Sequence, residues 1–240
     1  MLAVASGQCI LELLRDGHSS PAEAIALDDA IGVSVASGIS PPTLRIWVNN
    51  RALVLPAWRL CGSAAGTVMD GFGQTWPICG RSSGGAAVAH GPGTLNMSLV
   101  LPMRGRSQPS IDASYRLWIG LLSAALSDQF GIAVNAAEVE GAFCSGRYDA
   151  SVDGRKLAGV SQARRKGTVL VHGTILVEVD RARYLQVIEA GERWLGIASA
   201  PRSYDAERMV SLHELVRRPV GLQELANSVI QAAARVLEWR

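Results

Sequence analysis

Four short segments carry residue types that could do chemistry on an anion or a carbonyl. The first is Gly80-Arg81-Ser82-Ser83-Gly84-Gly85-Ala86-Ala87-Val88-Ala89-His90. Adjacent glycines let a backbone come close to a ligand, because no Cβ intervenes. A turn with successive outward N–H groups can hold an anion or a carbonyl oxygen. Arg81 adds a permanent cation beside it. No Gly-Lys-Ser/Thr follows, so this is not a P-loop, and the glycine spacing is not a dinucleotide fingerprint. Read alone, the segment also fits a plain glycine-rich connection between strands. The second segment is Gly154-Arg155-Lys156-Leu157-Ala158-Gly159-Val160-Ser161-Gln162. A lysine mostly stands in solvent and becomes special only when held near a reacting group. Here Ala158 and Gly159 leave room for a ligand beside the strand. The third is Cys144, between small residues in Gly141-Ala142-Phe143-Cys144-Ser145-Gly146. An accessible cysteine is a nucleophile when a nearby cation favours its thiolate, and Arg147 and Lys156 are the candidate cations. Its other reading is a small buried apolar residue. The fourth is His172-Gly173-Thr174, where a lone histidine inside a strand reads as structural. No second histidine or carboxylate stands at ligand spacing, so no protein-bound metal is expected.

Elements must hold these residues in place. Ser20-Pro21 with Glu23 three residues after the serine is a capping-box start. The helix it opens runs through Ala24, Leu27, Ile31 and Val35 to Gly38, and Pro41-Pro42 prevents continuation. Ile111, Tyr115, Trp118, Leu122, Ala125 and Leu126 recur at helical spacing and predict a helix over 110–130, ended by Gly131. Ile10, Leu11, Leu13 and Leu14 predict a further helix over 1–16, with Cys9 on its face. Residues 58–70 are read as including a helix, and others are expected near 181–191, 205–215 and 221–239. Thr43–Val48 and Ala52–Leu55 read as strands around an Asn49-Asn50-Arg51 turn. Trp76–Cys79 and Thr94–Leu101 read as strands flanking the glycine segment. Asp153-Gly154 is a two-residue turn that sets Tyr148–Val152 against Arg155–Val160. Val169–Val179 is rich in β-branched residues. Strands meet by hairpins as often as by helical crossovers, so the fold class expected is α+β, with a mixed, largely antiparallel sheet packed by helices.

Bulk properties exclude several classes. The 240 residues are 48% apolar and 18% charged, with a net charge of +2. This suits a full hydrophobic core, read as a single catalytic domain over 1–240 with its core at about 20–220 and a helical C-terminal end. It does not suit a nucleic-acid or membrane-surface protein, which concentrates basic charge. No stretch of about 18 uninterrupted apolar residues suggests a membrane span. The first twenty residues lack a basic start and carry Glu12, Arg15 and Asp16, so no cleaved signal peptide is expected. Cys9, Cys61, Cys79 and Cys144 are scattered without a CxxC pair, which fits a reducing cytoplasm. No repeat of 20–50 residues occurs.

In this order the segments resemble the lipoate–protein ligase and octanoyltransferase family, related to the biotin protein ligases. Arg81-Ser82-Ser83-Gly84-Gly85-Ala86-Ala87-Val88-Ala89-His90 is similar to the family's Arg-x-Ser-Gly-Gly-Gly-Ala-Val-x-His loop, with Ala86 at the third glycine. Gly93-Thr94-Leu95-Asn96-Met97-Ser98 is similar to Gly-Asn-Leu-Asn-x-Ser. Gly146-Arg147-Tyr148-Asp149 is similar to Gly-Arg-x-Asp. Lys156-Leu157-Ala158-Gly159-Val160-Ser161-Gln162 is similar to the segment that holds the family's catalytic lysine. His172-Gly173-Thr174-Ile175-Leu176 is similar to His-Gly-Thr-Leu-Leu. Two features depart from the pattern. His90-Gly91 replaces the usual His-Asp, and Leu55-Pro56-Ala57-Trp58-Arg59 stands where Gly-Arg-Asn is usual.

The resemblance implies a fatty-acyl tunnel and transfer of lipoyl or octanoyl to a lysine of a lipoyl-domain carrier, either a glycine cleavage H protein-like chain or a dehydrogenase lipoyl domain. No nucleic acid or membrane partner is implied. Arg81, Ser83, Gly84, Gly85, Ala86, Ala87, Val88, His90, Asn96, Gly159, His172, Gly173 and Thr174 would bind the acyl group or a nucleotide. Lys156, as the catalytic lysine, would bind the acyl carbonyl or the acyl-phosphate oxygen. Buried chain methylenes would contribute about 0.8 kcal/mol each, and fixed donors would stabilise an oxyanion. Two mechanisms follow. A transferase needs no cofactor and forms a thioester on Cys144, and Glu140-Gly141-Ala142-Phe143-Cys144 followed by Gly146-Arg147-Tyr148 resembles the cysteine-dependent amidotransferases of this family. A ligase uses ATP and Mg with free lipoate and passes through an acyl-adenylate. The chain's end at 240, short of the accessory domain usual in lipoate ligases, favours the transferase. A non-catalytic binding module or ligase partner is the remaining alternative.

Overall fold

The computed structural model describes residues 7–12, 20–60, 66–70, 73–103, 108–165, 167–196 and 204–237. Strands and helices follow as β1 (Gln8–Glu12), α1 (Pro21–Ser37), β2 (Thr43–Trp47), β3 (Ala52–Pro56), β4 (Thr67–Met69), β5 (Thr75–Arg81), β6 (Val88–His90) and β7 (Thr94–Pro102). Then come α2 (Ile111–Phe130), β8 (Asn135–Ala136), β9 (Ala150–Val152), β10 (Arg155–Arg165), β11 (Thr168–Leu176), α3 (Arg181–Trp194), α4 (Leu212–Val216) and α5 (Leu222–Val236). A seven-stranded sheet runs β1-β2-β7-β11-β10-β9-β8, antiparallel except for the β1–β2 pair. A smaller sheet runs β4-β5-β3-β6, with β3 and β5 parallel. The expected mixed sheet packed by helices is the observed architecture.

Local chemistry sets the helix ends. Ser20 accepts from the Glu23 N–H while Glu23 returns a bond to the Ser20 N–H, and Gly38 closes α1 at φ 79°. Ser110 caps α2, and Gly131 at φ 67° ends it. The Asp153-Gly154 turn has both residues at positive φ (49° and 73°), the mirror-image geometry that joins twisted strands tightly.

Four layers result. One face of the large sheet carries Leu44, Ile46, Leu95, Met97, Leu99, Val171 and Ile175 against Trp118, Leu122, Ala125 and Leu126 of α2, with Leu225, Val229 and Ala233 of α5 beside them. Each fully buried large apolar side chain contributes roughly 1.5–3 kcal/mol. The other face meets α1 through Ile31, Val35, Val100 and Leu170. Beside α1 it meets the small sheet, which α3 covers with Leu185 and Ile188 packed on Leu53 and Leu55. Arg45, buried on that side, pairs with Asp28 of α1 at 2.8 Å and lies 4.2 Å above the Trp47 ring. Asp28 also accepts from the Ser98 hydroxyl.

Several expectations are corrected. Residues 8–12 are a strand, so Cys9 lies in β1 rather than on a helix face, while 1–6 and 13–16 fall outside the described residues. Five apolar-rich residues are too few for periodicity to separate strand from helix. β2 and β3 do not pair with each other but enter different sheets. None of residues 49–51 has the positive φ that a tight hairpin turn needs. The expected helix in 58–70 is a 3-10 turn at Ala57–Leu60 and strand β4, with 61–65 outside the described residues. The expected helix near 205–215 is a 3-10 turn at Ala206–Arg208 followed by short α4.

Candidate active site

A bulge in β10 aims Lys156. Along β10, Ala158 and Val160 face the α2 layer, and strict alternation would send Lys156 there too. The pairing with β9 slips between Lys156 and Ala158, so Leu157 is extra and Lys156 turns to the other face. Its tip lies 3.4 Å from where a Gly159 Cβ would stand, so glycine at 159 is what leaves it room. The lysine is fully buried. Its Nζ pairs with Asp149 Oδ1 at 2.8 Å and donates to the carbonyls of Phe143 and Cys144, each at 2.8 Å. Those are three acceptors for three ammonium protons. Burial pushes the Asp149 carboxyl up, and Lys156 pulls it back.

Cys144 stands in the turn between β8 and β9 at φ 43°, a left-handed conformation uncommon for a residue with a Cβ. Its sulfur accepts the Ala86 N–H at 3.1 Å. A Cβ on Gly85 would lie 3.0 Å from both that sulfur and Arg81 Nη2. Gly85 itself has φ 97°, so this close approach depends on glycine twice over. The neighbouring cation is therefore Arg81. Arg147 is exposed and lies over the Tyr148 ring at 5.4 Å, and Lys156 meets the cysteine's carbonyl rather than its sulfur.

Arg81, at the end of β5, builds the glycine loop. Its Nε donates to Ser83 Oγ and the Gly84 carbonyl, Nη1 to the Val54 carbonyl, and Nη2 to the Gly84 and Ala86 carbonyls at 2.6 and 2.7 Å. Burial lowers the guanidinium's pKa, against the field of Cys144. Ser83 Oγ lies 2.7 Å from His172 Nε2. Burial and then Arg81 push His172 down to about 3, so it is neutral near pH 7.

His90 ends β6 inside a one-way chain of hydrogen bonds. Thr174 donates its only hydroxyl proton to Asn96 Oδ1 at 2.9 Å, so the Thr174–His90 contact at 3.1 Å is donated by His90 Nε2. Nδ1 is then left to accept from Asn49 Nδ2 at 3.3 Å. A neutral ring fits, and burial, then Arg81 and His172, push His90 down to about 3. Asn96 Nδ2, at the end of the chain, has no partner among the described residues.

A small cavity of about 30 Å³ brings together Arg81, Val88, His90, Cys144, Gly159, His172, Gly173 and Thr174. Ser83, Gly84, Gly85, Ala86 and Ala87 form the loop at its edge. Lys156 lies beneath the Cys144 turn, and Asn96 stands a strand behind, in β7. Gly173 has a packing reason of its own, because a Cβ there would meet Trp118 at 2.6 Å and the Gly159 carbonyl at 2.7 Å. Sequence reasoning missed Asp149 as the lysine's partner, although it sits in the Gly146–Asp149 segment. It also missed Asn49, taken as a turn residue, and the stacked pair Tyr115–Tyr148, whose rings are 4.4 Å apart. No group of three or more His, Cys, Asp or Glu suited to a metal occurs among the described residues. No described helix is long and apolar enough to cross a membrane.

The fold is that of the lipoate–protein ligases. A lipoate–protein ligase A solved with ATP superposes with a TM-score of 0.72 at 21% identity, over 98% of this chain and 87% of that one. A bipartite lipoate protein ligase from Thermoplasma acidophilum gives 0.67 at 22%, over 98% and 85%. The chain belongs to the lipoyl protein ligase A/B catalytic domain family, which it matches over residues 20–234. Among curated relatives, the octanoyl-[GcvH]:protein N-octanoyltransferase of Kyrpidia tusciae is 36% identical over 232 residues, covering 90% of this chain and 75% of its own. The enzyme of the same name from Oceanobacillus iheyensis is 31% identical over 218 residues, covering 88% and 76%.

Proposed function

We propose that this chain is an octanoyl- or lipoyl-transferring enzyme that takes the acyl group from a lipoyl-domain carrier such as GcvH and passes it to a lysine of a second carrier through a thioester on Cys144. The observation that carries this reading is the Cys144 sulfur seated on the Ala86 N–H, with Arg81 beside it and Lys156 anchoring its own turn. A sulfur that gains negative charge in the reaction needs such a donor and such a cation. In the first half-reaction the Cys144 thiol gives up its proton and its thiolate adds to the acyl carbonyl; the S–C bond forms, the C–N bond to the donor lysine breaks, and that nitrogen takes up the thiol's proton and leaves as the amine. In the second, the acceptor's lysine amine attacks the thioester, the N–C bond forms, the S–C bond breaks, and the proton lost by the amine returns to the sulfur. No ATP enters either half.

The roles follow from position. Arg81 commits its donors to the loop's own carbonyls and to that of Val54 in β3, which suits a scaffold for the Ala86 N–H better than a phosphate clamp. Gly159, Val88 and Thr174 border the cavity where the acyl carbonyl would lie. The relatives' name supports GcvH as carrier and octanoyl as the group moved. Chemistry through a free thiol suits a reducing compartment, so we propose the cytoplasm. The test is intact-protein mass spectrometry after mixing with octanoyl-GcvH. An octanoyl adduct mapping to Cys144, absent in Cys144→Ala together with transfer, is expected. Full transfer by Cys144→Ala, or pyrophosphate release from ATP with lipoate, would replace the thioester by an adenylate.

A further inference from the structure

Resting on the Cys144 reading, we infer that Asp149 is a positioning residue for acyl transfer, holding the Cys144 turn from both ends. Both carboxylate oxygens act on that turn. Oδ1 binds Lys156 Nζ at 2.8 Å, and the same Nζ holds the carbonyls of Phe143 and Cys144. Oδ2 accepts the N–H of Gly146 at 3.1 Å. The carboxylate therefore grips the turn before the cysteine through the ammonium and after it directly. Cys144 is held between these points at φ 43°, a conformation a cysteine does not choose unaided.

Geometry makes this clamp stiff. Asp149 and Lys156 are both buried, so no water replaces either partner. The Phe143 ring closes one side of the ammonium at 4.5 Å and itself packs edge-on against Tyr184. All three ammonium protons are taken, so Lys156 cannot turn to an acyl carbonyl without releasing an acceptor. In this resting arrangement the lysine places the nucleophile, and Asp149 places the lysine. Sulfur that drifts from the Ala86 N–H loses the donor that receives its charge, and a displacement of about 1 Å costs on the order of 100-fold in rate.

The test compares wild type, Asp149→Asn, Asp149→Glu, Lys156→Gln and Asp149→Asn/Lys156→Gln, using octanoyl-GcvH as donor and the rate of the Cys144 adduct as readout. Both Asp149 variants are expected to lose about 100-fold in kcat with KM changed less than about threefold. The double variant is expected to be no slower than Lys156→Gln, because the asparagine oxygen can still accept from the Gly146 N–H and only the arm through the lysine is lost. Asp149→Glu keeps the buried charges balanced, so it carries the test if Asp149→Asn does not fold. Either Asp149 variant within about threefold of wild type, or losses that multiply in the double variant, would overturn the inference. Cys144→Ala is run beside them. If it still transfers, the thioester reading falls; if it is dead while the Asp149 variants are normal, only the positioning role falls.

Discussion

Two adjacent glycines give the sharpest test of the glycine loop. A Cβ on Gly85 would stand 3.0 Å from Cys144 Sγ and 3.0 Å from Arg81 Nη2, where contact normally begins at about 3.5–4.0 Å. Arg81 Nη2 is fixed by two carbonyls at 2.6 and 2.7 Å, so the sulfur must give way by roughly 0.5–1 Å. Rotating a cysteine side chain costs little stability, but it takes the reacting atom off the Ala86 N–H. A misplacement of that size is worth about 10- to 100-fold in rate. The backbone adds its own penalty, since φ 97° costs a residue with a Cβ about 1–2 kcal/mol. For a chain of this size that lowers Tm by roughly 2–8 °C. Gly84 is the internal control, because nothing lies within 4 Å of its Cβ position and its φ is not positive. The assay is the rate of Cys144 octanoylation by mass spectrometry, with Tm by scanning fluorimetry. Gly85→Ala is expected to lose rate well beyond its lost stability, and Gly84→Ala to resemble wild type. Equal rates for the two variants, measured where both are folded, would refute the placement of Cys144 against this loop.

Gly173→Ala should fail as a packing change. Its Cβ would meet the Trp118 indole, whose N–H is fixed on the Met97 carbonyl at 2.9 Å, so about 1–3 kcal/mol of stability and roughly 2–12 °C of Tm should be lost in calorimetry. His172→Gln should flatten the acid limb of stability. With a native pKa near 3, His172 takes up its proton only on unfolding below about pH 6.5, so stability falls as pH drops through that window by up to about 1.4 kcal/mol per pH unit. Urea titrations at several pH values should show the variant's slope reduced by that amount, while Asp28 and Asp149, raised by burial, act in the opposite sense in both proteins. Asp28→Ala should destabilise by about 3–5 kcal/mol, because the buried Arg45 guanidinium would lose the carboxylate that now lies 2.8 Å from it. A loss below about 1 kcal/mol by urea unfolding would mean that the pair is solvated.

What the sequence made legible was local. Ser20, Glu23, Gly38 and Gly131 each act on backbone groups within a few residues of themselves, so α1 and the end of α2 could be bounded by inspection. Asp153-Gly154 could be placed for the same reason. The separation of β2 from β3 could not, because it depends on partners at Thr94–Pro102 and Thr75–Arg81 that no local pattern announces. The strand at 8–12 was hidden by its shortness. The site divides in the same way. The order of motifs located Arg81, Cys144, Lys156 and His172. The direction of their hydrogen bonds was not readable. Arg81 turns inward to its own loop, and Asp149 takes the lysine, because burial leaves these charges no water to fall back on.

The extra residue in β10 has a consequence for how this chain can vary. Which layer receives the ammonium of Lys156 depends on how Leu157 is accommodated between it and Ala158. Removing Leu157 would restore regular pleating with Lys156 directly before Ala158 and on the opposite face, so the ammonium would keep its side; regular pleating with Leu157 retained would instead deliver it into the layer built around Trp118. The count is thus read twice, once by the sheet and once by the chemistry. A slip in β10 pairing would not yield a folded but idle enzyme; it would put an unpaired charge into the apolar interior and be rejected during folding.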